Sequence, residues 1–174
     1  MLFTGSLHAC SASIDTGKAM SRILVTYATN SGSTTEVAEA IADEICQAGH
    51  ITRVLPLAEA TDLSAYDCVV IGAPMIFGWQ AAARKFMKQH RDALAAKKVA
   101  LFACAMRLTR VPGITPGFQP LALDASLASE PQKAGRMSFK ERFTSTGHYL
   151  KPMLKAAAGN PPISIAFFGG KLEM

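Results

Sequence analysis

Hydrophobic positions along the chain change their spacing repeatedly, and each change marks an element. Short apolar runs alternate with stretches whose apolar side chains recur every three or four positions. That βα rhythm predicts a parallel sheet covered on both faces. Residues 22–27 form the first run. Over residues 33–48, Val37, Ile41 and Ile45 share one helical face while Glu36, Glu39, Asp43 and Glu44 take the other, and Gly49 is placed to end the helix. A second strand is expected over 51–55, a short connection with one helical turn over 56–65, and a third strand over 68–72, whose continuous apolar character suits a central position. Residues 82–95 read as a second helix in which Phe86, His90 and Leu94 repeat at every fourth position. Fourth and fifth strands follow over 98–104 and 163–168, the last entered through Asn160-Pro161-Pro162.

One interval breaks the rhythm. More than fifty residues separate Ala105 from Pro162, far more than a simple crossover needs. Its first part is rich in Pro and Gly (111–117). Its second, 138–158, is amphipathic and basic, with Phe139, Phe143, Tyr149, Leu150 and Leu154 as apolar positions among Lys140, Arg142, Lys151 and Lys155. A long excursion at the carboxyl ends of parallel strands suits a lid, a substrate site or a docking surface. An ordinary crossover helix on a long loop is the plainer alternative.

Composition narrows the class. With 174 residues, 49% hydrophobic and 18% charged, the chain has the profile of one globular domain. Its longest uncharged run, 68–83, carries Gly72, Pro74 and Gly78, so it reads as buried strand plus loop, not as a bilayer span. Cys10, Cys46, Cys68 and Cys104 form no C-x-x-C pair and no zinc spacing, which excludes a thiol-ligated metal site and suits a reduced, cytoplasmic protein. Residues 1–19 lack the basic start and continuous apolar segment of a secretory signal. They read as a disordered extension ahead of a natural start at Met20.

Charge divides the chain in two. Residues 1–79 hold 3 basic and 8 acidic side chains, and residues 80–174 hold 15 and 5, for a formal net charge of +5. A basic half suggests an anionic partner such as an acidic protein, an anionic membrane surface or an anionic organic substrate. A solvated cationic face is the plainer alternative. Outside 138–158 the basic residues are not interleaved with aromatics, and nucleic acid is not expected.

The most specific chemistry lies where the first strand meets the first helix. Thr29, Asn30, Ser31, Gly32, Ser33 and Thr34 form a loop dense in hydroxyl and amide groups, and no Lys or Arg occurs between Arg22 and Arg53. A strand tip feeding a helix N-terminus gathers unpaired backbone N–H groups at the positive end of the helix dipole. Such a loop holds a phosphate without a cation. It is neither a Walker loop nor a G-x-G-x-x-G turn. A serine-rich turn capped at Ser33 is the plainer alternative.

The pattern aromatic-x-Thr-x-x-Gly-x-Thr-x-x-x-Ala-x-x-Ile, carried by Tyr27, Thr29, Gly32, Thr34, Ala38 and Ile41, resembles the flavin-mononucleotide (FMN) phosphate loop of the flavodoxin family. One position departs: Thr26 stands where that pattern prefers an apolar residue. The resemblance implies a flavodoxin-like, doubly wound α/β fold with a five-stranded parallel sheet in the order 2-1-3-4-5. The ligand would sit at the switch between the first and third strands. It also implies FMN as cofactor, with the loops after the third and fourth strands bracketing the flavin ring. Those loops are Pro74, Met75, Ile76, Phe77, Gly78 and Trp79, and Ala105, Met106 and Arg107. Phe77 or Trp79 would cover the ring face, and Arg107 would face the reduced ring or an anionic substrate. The family pattern continues with a final helix, whereas this chain stops six residues after Phe168. Apolar residues of the first and third strands are therefore expected to lie open, as in a shortened chain or one needing a partner there.

Over roughly residues 22–170 the layout resembles the branch that includes the menaquinone-dependent protoporphyrinogen oxidases. Tyr66-Asp67, Val69-Val70-Ile71-Gly72-Ala73, Phe77-Gly78, the long excursion and Phe168-Gly169-Gly170 carry that likeness. It implies an oxidoreductase in which FMN takes electrons from an organic substrate and passes them to a quinone or protein acceptor, with peripheral membrane contact through the basic half. A non-catalytic flavodoxin-type electron carrier is the alternative. A receiver domain is disfavoured, because the first and third strands lack the acidic residues it needs at their tips. The sequence names no catalytic acid or base, no metal ligand and no oligomeric state.

Overall fold

The computed structural model describes residues 19–76, 78–110, 121–129 and 138–170. In chain order, β1 (Arg22–Tyr27) leads to α1 (Ser33–Gln47), β2 (Ile51–Pro56) and β3 (Cys68–Pro74). Next come α2 (Ala81–Gln89), α3 (Arg91–Ala95), β4 (Lys98–Ala105) and β5 (Leu108–Thr109). Last are β6 (Leu121–Leu123), β7 (Ala128–Ser129), α4 (Phe139–Phe143), α5 (Thr146–Ala156) and β8 (Ser164–Gly169). The extension expected over 1–19 falls almost wholly outside the described residues, as do 171–174 and Phe77.

The main sheet is parallel in the order β2-β1-β3-β4-β8-β6. The five expected strands take their expected order, and β6 adds a sixth beside β8, pairing Leu121 with Ile165 and Leu123 with Phe167. This corrects the strand count. The physical gain is at the edge: β6 satisfies backbone groups that β8 would otherwise leave open. Asp124 then ends the ladder, its backbone N–H donating to Phe167 O at 2.9 Å and its carboxylate accepting from Gly169 N at 3.0 Å.

Alternation along the strands makes two cores. Leu24, Val69, Ile71, Leu101, Ile165 and Phe167 pack with Phe86 and Met87 of α2, Leu94 of α3, and Leu150 and Met153 of α5. On the other face, Ile23, Val25, Val70, Phe102 and Cys104 lie with Ala38 and Ala42 of α1. Phe102 crosses the sheet over Gly72, where a Cβ would come within 1.9 Å of its Cζ, and meets Phe168 edge-on at 6.1 Å. The expectation of open apolar residues on the first and third strands needs correcting. α1 shields Ile23, Val25 and Val70, and the half-buried sheet positions on this face are Tyr27 at the tip of β1, Val54 on β2, Cys68 at the foot of β3, Ala100 on β4, and Ala166 and Phe168 on β8.

Three local expectations also change. The helix read over 82–95 divides at His90, whose φ of −101° and ψ of 20° end α2 and begin α3. The break keeps hydrogen bonding intact, since His90 N donates to Phe86 O and Leu94 N to His90 O, both at 2.9 Å. In the connection after β2, residues 57–59 and 64–65 form turns and 60–63 are irregular, with no helical turn. The basic segment is two helices, each with its own serine cap. Ser138 and Glu141 exchange both bonds of a capping box, and Ser145 Oγ accepts from His148 N at 3.3 Å.

Candidate functional site

Between β1 and α1 the chain turns sharply through Gly32, whose φ of 89° lies in the left-handed region that a side chain disfavours. Gly32 N donates to Thr29 Oγ1 at 2.9 Å, so Thr29 shapes the loop. Ser33 opens α1 and is not its cap. The helix starts with no side-chain cap bond at all, leaving its first amides to a ligand or solvent. Thr34, in the first turn, is fully buried and its Oγ1 has no hydrogen-bond partner among the described residues. The Cys104 thiol lies beside it, but that weak sulfur contact falls short of a hydrogen bond, so the hydroxyl stays unsatisfied. Burial pushes the thiol up to about 11, with Thr34 pulling slightly the other way, so Cys104 is neutral at ordinary pH.

An unsatisfied buried hydroxyl costs about 1–3 kcal/mol. Beside an uncapped helix N-terminus, the simplest compensation is an anion that accepts from both, and the donor set fits a phosphate. Among the described residues, Thr26 is the other fully buried threonine with an unpartnered hydroxyl. It is the position that departs from the apolar preference of the motif, and it does so deep in the sheet.

The loop after β3 is fastened to this turn. Gln80 Nε2 donates to Asn30 Oδ1 at 2.6 Å, and Gln80 N to Pro74 O at 3.2 Å. Met75 N joins the ladder through Cys104 O at 2.8 Å, and Met75 and Trp79 bridge each other. Trp79 does not lie open to cover a ring. It is 1% exposed, packed in the core, with Nε1 donating to Phe102 O at 3.3 Å. An indole whose N–H finds a carbonyl inside the core gains more from burial than from facing solvent. Met75 and Ala105 are likewise buried, whereas Ile76, Met106 and Arg107 are exposed at the rim. Phe77 lies outside the described residues.

Two cavities meet at the Ile76–Gly78 loop. One of about 210 Å³ reaches from Asn30 past Pro74 and Gln80 to Arg84. The other, about 440 Å³, lies between Ile76, Gly78 and Arg107 on one side and α4 and α5 on the other. A threonine cluster ties the two sides together. Thr109 and Thr144 share a hydroxyl bond at 2.8 Å, Thr109 N donates to Thr144 O at 2.8 Å, and Thr146 Oγ1 donates to Thr109 O at 3.4 Å.

The structure therefore brings residues 29–34, Pro74, Ile76, Gly78 and Arg107 around one end of the sheet, and places Trp79 and Met75 behind them as support. Sequence reasoning missed Gln80, Arg84 and His148. Gln80 carries no local signal, because its partner Asn30 is fifty positions away in sequence. Among the described residues no group of His, Cys, Asp and Glu is placed to hold a metal ion, and no helix is long and apolar enough to cross a membrane.

A family model described as "Flavodoxin domain" matches residues 24–174. Among solved structures, a short-chain flavodoxin associated with a bacterial microcompartment is 13% identical. The match covers 89% of this chain and 88% of that one, with a TM-score of 0.56. The two-electron reduced flavodoxin of Megasphaera elsdenii is 15% identical over 83% of this chain and 84% of its own, with a TM-score of 0.50. At these identities the structural likeness speaks for the fold. Among curated proteins, none matches the chain.

Proposed function

Because the chain belongs to the flavodoxin domain family, whose members bind FMN and transfer electrons, we propose that it is an FMN-dependent oxidoreductase. It would pass electrons from an organic substrate to a quinone or protein acceptor, in the manner of a protoporphyrinogen oxidase. When bound, FMN supplies the redox chemistry, and the protein supplies binding, orientation and electrostatics. In this reading Thr29, Asn30, Ser31, Gly32, Ser33 and Thr34 hold the phosphate. Pro74, Ile76, Gly78, Met106 and Arg107 line the ring, with Met75, Trp79 and Ala105 fixing those loops from beneath. The observation that carries the assignment is the orphaned Thr34 hydroxyl beside the uncapped start of α1.

Two features favour an enzyme over a simple carrier. The excursion after β4 returns as α4 and α5 and builds a 440 Å³ cavity against the ring loops, which a carrier does not need. The basic half suits an anionic organic molecule or an anionic membrane surface, and we place the protein in the cytoplasm, peripheral to a membrane when quinone-linked. No residue is assigned as a catalytic acid or base.

The test is turnover by FMN-loaded protein under anaerobic conditions, with protoporphyrinogen as donor and a soluble menaquinone analogue as acceptor. The reading expects porphyrin fluorescence that appears only when the quinone is present, each quinone taking up two electrons and two protons. Bound FMN that is reduced by a protein donor but gives no porphyrin with any quinone would return the protein to the carrier class.

A further inference from the structure

The larger cavity is unlike the phosphate loop in composition, and its walls specify a ligand of their own. Phe139 and Phe143 of α4 lie with ring centroids 5.3 Å apart, and Phe143 and His148 of α5 lie 4.7 Å apart at 45°. Tyr149 continues the series, 6.4 Å from His148, and backs onto Phe167 of the core at 6.1 Å. This row of rings ends at solvent. Phe139 is 77% and Phe143 46% exposed, and both sit on a short helix closed at its start by the Ser138–Glu141 capping box. Exposed aromatic surface next to a concave wall is an arrangement that a flat apolar ligand would cover.

The charges in the wall are of one sign. Arg107 from the loop after β4 and Lys140 from α4 are the charged side chains among the described lining residues. The nearest carboxylate in sequence, Glu141, is buried and turned into the helix cap, where it accepts from Ser138 N at 2.6 Å. A ligand with a carboxylate would therefore meet two cations and no lining acid. Guanidinium and ammonium donors to a carboxylate are among the stronger hydrogen bonds available to a protein.

We infer that this cavity binds a planar aromatic carboxylate, its rings packed along Phe139, Phe143 and His148 and its acid group held by Arg107 and Lys140. Because Ile76, Gly78 and Arg107 also belong to the loops assigned to the flavin ring, the ligand becomes a redox partner only if the FMN reading above holds. Binding itself does not depend on that reading. The threonine cluster at Thr109, Thr144 and Thr146 keeps the cavity's two walls in register. A neutral flat molecule would gain the ring contacts and lose the two charge-assisted bonds.

The test is a fluorescence titration of the full chain with 2-naphthoate and with its neutral counterpart 2-naphthalenemethanol, with and without FMN. The acid is expected to bind about tenfold more tightly than the alcohol. Arg107→Gln and Lys140→Gln should each weaken the acid several-fold and leave the alcohol unchanged. Phe143→Ala should weaken both, and Lys85→Gln, a cation on the exposed side of α2, should change neither. Equal affinity for the two probes, no binding of either, or an effect of Lys85→Gln as large as that of Arg107→Gln would overturn the proposal. Capture of the protein by phosphatidylglycerol vesicles through Phe139, with naphthoate unbound, would overturn it in favour of a bilayer surface. Loss of FMN binding with naphthoate binding intact would sink the flavin assignment and leave this one standing.

Discussion

Around the tips of β1 and β3 the chain turns in two short loops, whereas beyond β4 it travels more than fifty residues before returning as β8. The short loops are fixed by bonds over a few positions and one cross-link, with Gly32 N on Thr29 Oγ1, Gln80 N on Pro74 O and Gln80 on Asn30. The long excursion is held by contacts distant in sequence: the threonine cluster that joins 109 to 144 and 146, the pairing of β5 with β7, and β6 lying against β8. One rim of the site is thus a turn rich in hydroxyl and amide groups, proposed above to hold a phosphate, and the other is an aromatic and basic wall. One fold thereby divides its labour between the two rims. In the proposed reading, local turn chemistry would supply the anion site that a bound FMN needs, while the added wall would supply the shape for a second ligand.

The largest expected effect tests the packing under the first rim. Gly72→Ala would drive a methyl group into the Phe102 ring, where the nearest approach is 1.9 Å. The ring cannot retreat without losing Phe168, so the substitution should cost about 3 kcal/mol and appear as a lower urea midpoint with unchanged slope. An unshifted midpoint would show that the two rims rest on a looser sheet than described.

Breaking the second rim should be milder and selective. Thr109→Val removes the hydroxyl bond to Thr144 while keeping the backbone bonds. We expect a loss of about 1 kcal/mol in chemical denaturation. Naphthoate binding should weaken and FMN binding stay within about twofold, since the phosphate cradle stands on other bonds. Equal losses for both ligands would mean that the rims are coupled.

The smallest effect is one of pH. The Ser126 hydroxyl, with the amides of Gly169 and Ser126, holds the Asp124 carboxyl below its usual range. A carboxyl whose folded value is depressed stabilises the protein above its unfolded value, near 3.9, and loses that contribution as pH falls through the folded value. Asp124→Asn should therefore lower the thermal midpoint at neutral pH and flatten its decline in acid. The change should concentrate on the β6–β8 edge, where hydrogen exchange of Gly169 would reveal it.

Much of the first rim was legible in the sequence because its signals are local. The apolar runs of β1, β3 and β4, the acidic outer face of α1 and the terminating Gly49 each act within a few residues. The observed bounds fall within two positions of those expected. The sixth strand was not legible, because Leu121–Leu123 gains strand character only by lying beside β8. His90 interrupts a helix whose apolar spacing runs on unbroken, so periodicity alone does not reveal the break. Trp79 illustrates the same limit at the site. An aromatic after a turn suits a ring cover and a core anchor equally, and only the Phe102 carbonyl decides for the core. The glycine turn that opens α1 was readable by residue type, whereas the Gln80–Asn30 link depends on the folded sheet.

Residues 29–34 are proposed to form a phosphate cradle for FMN, completed by the Thr34 hydroxyl. The most direct test is to titrate the purified protein and its Thr34→Ala variant with FMN by visible absorbance, alongside denaturation of both without FMN. The parent should show a saturable flavin spectrum, and the variant an affinity about tenfold weaker or more. The FMN-free variant should be as stable as the parent or slightly more so, because an unsatisfied buried hydroxyl has been removed. Unchanged FMN affinity in a well-folded variant, or no flavin binding by the folded parent, would rule out this role for Thr34 and the loop.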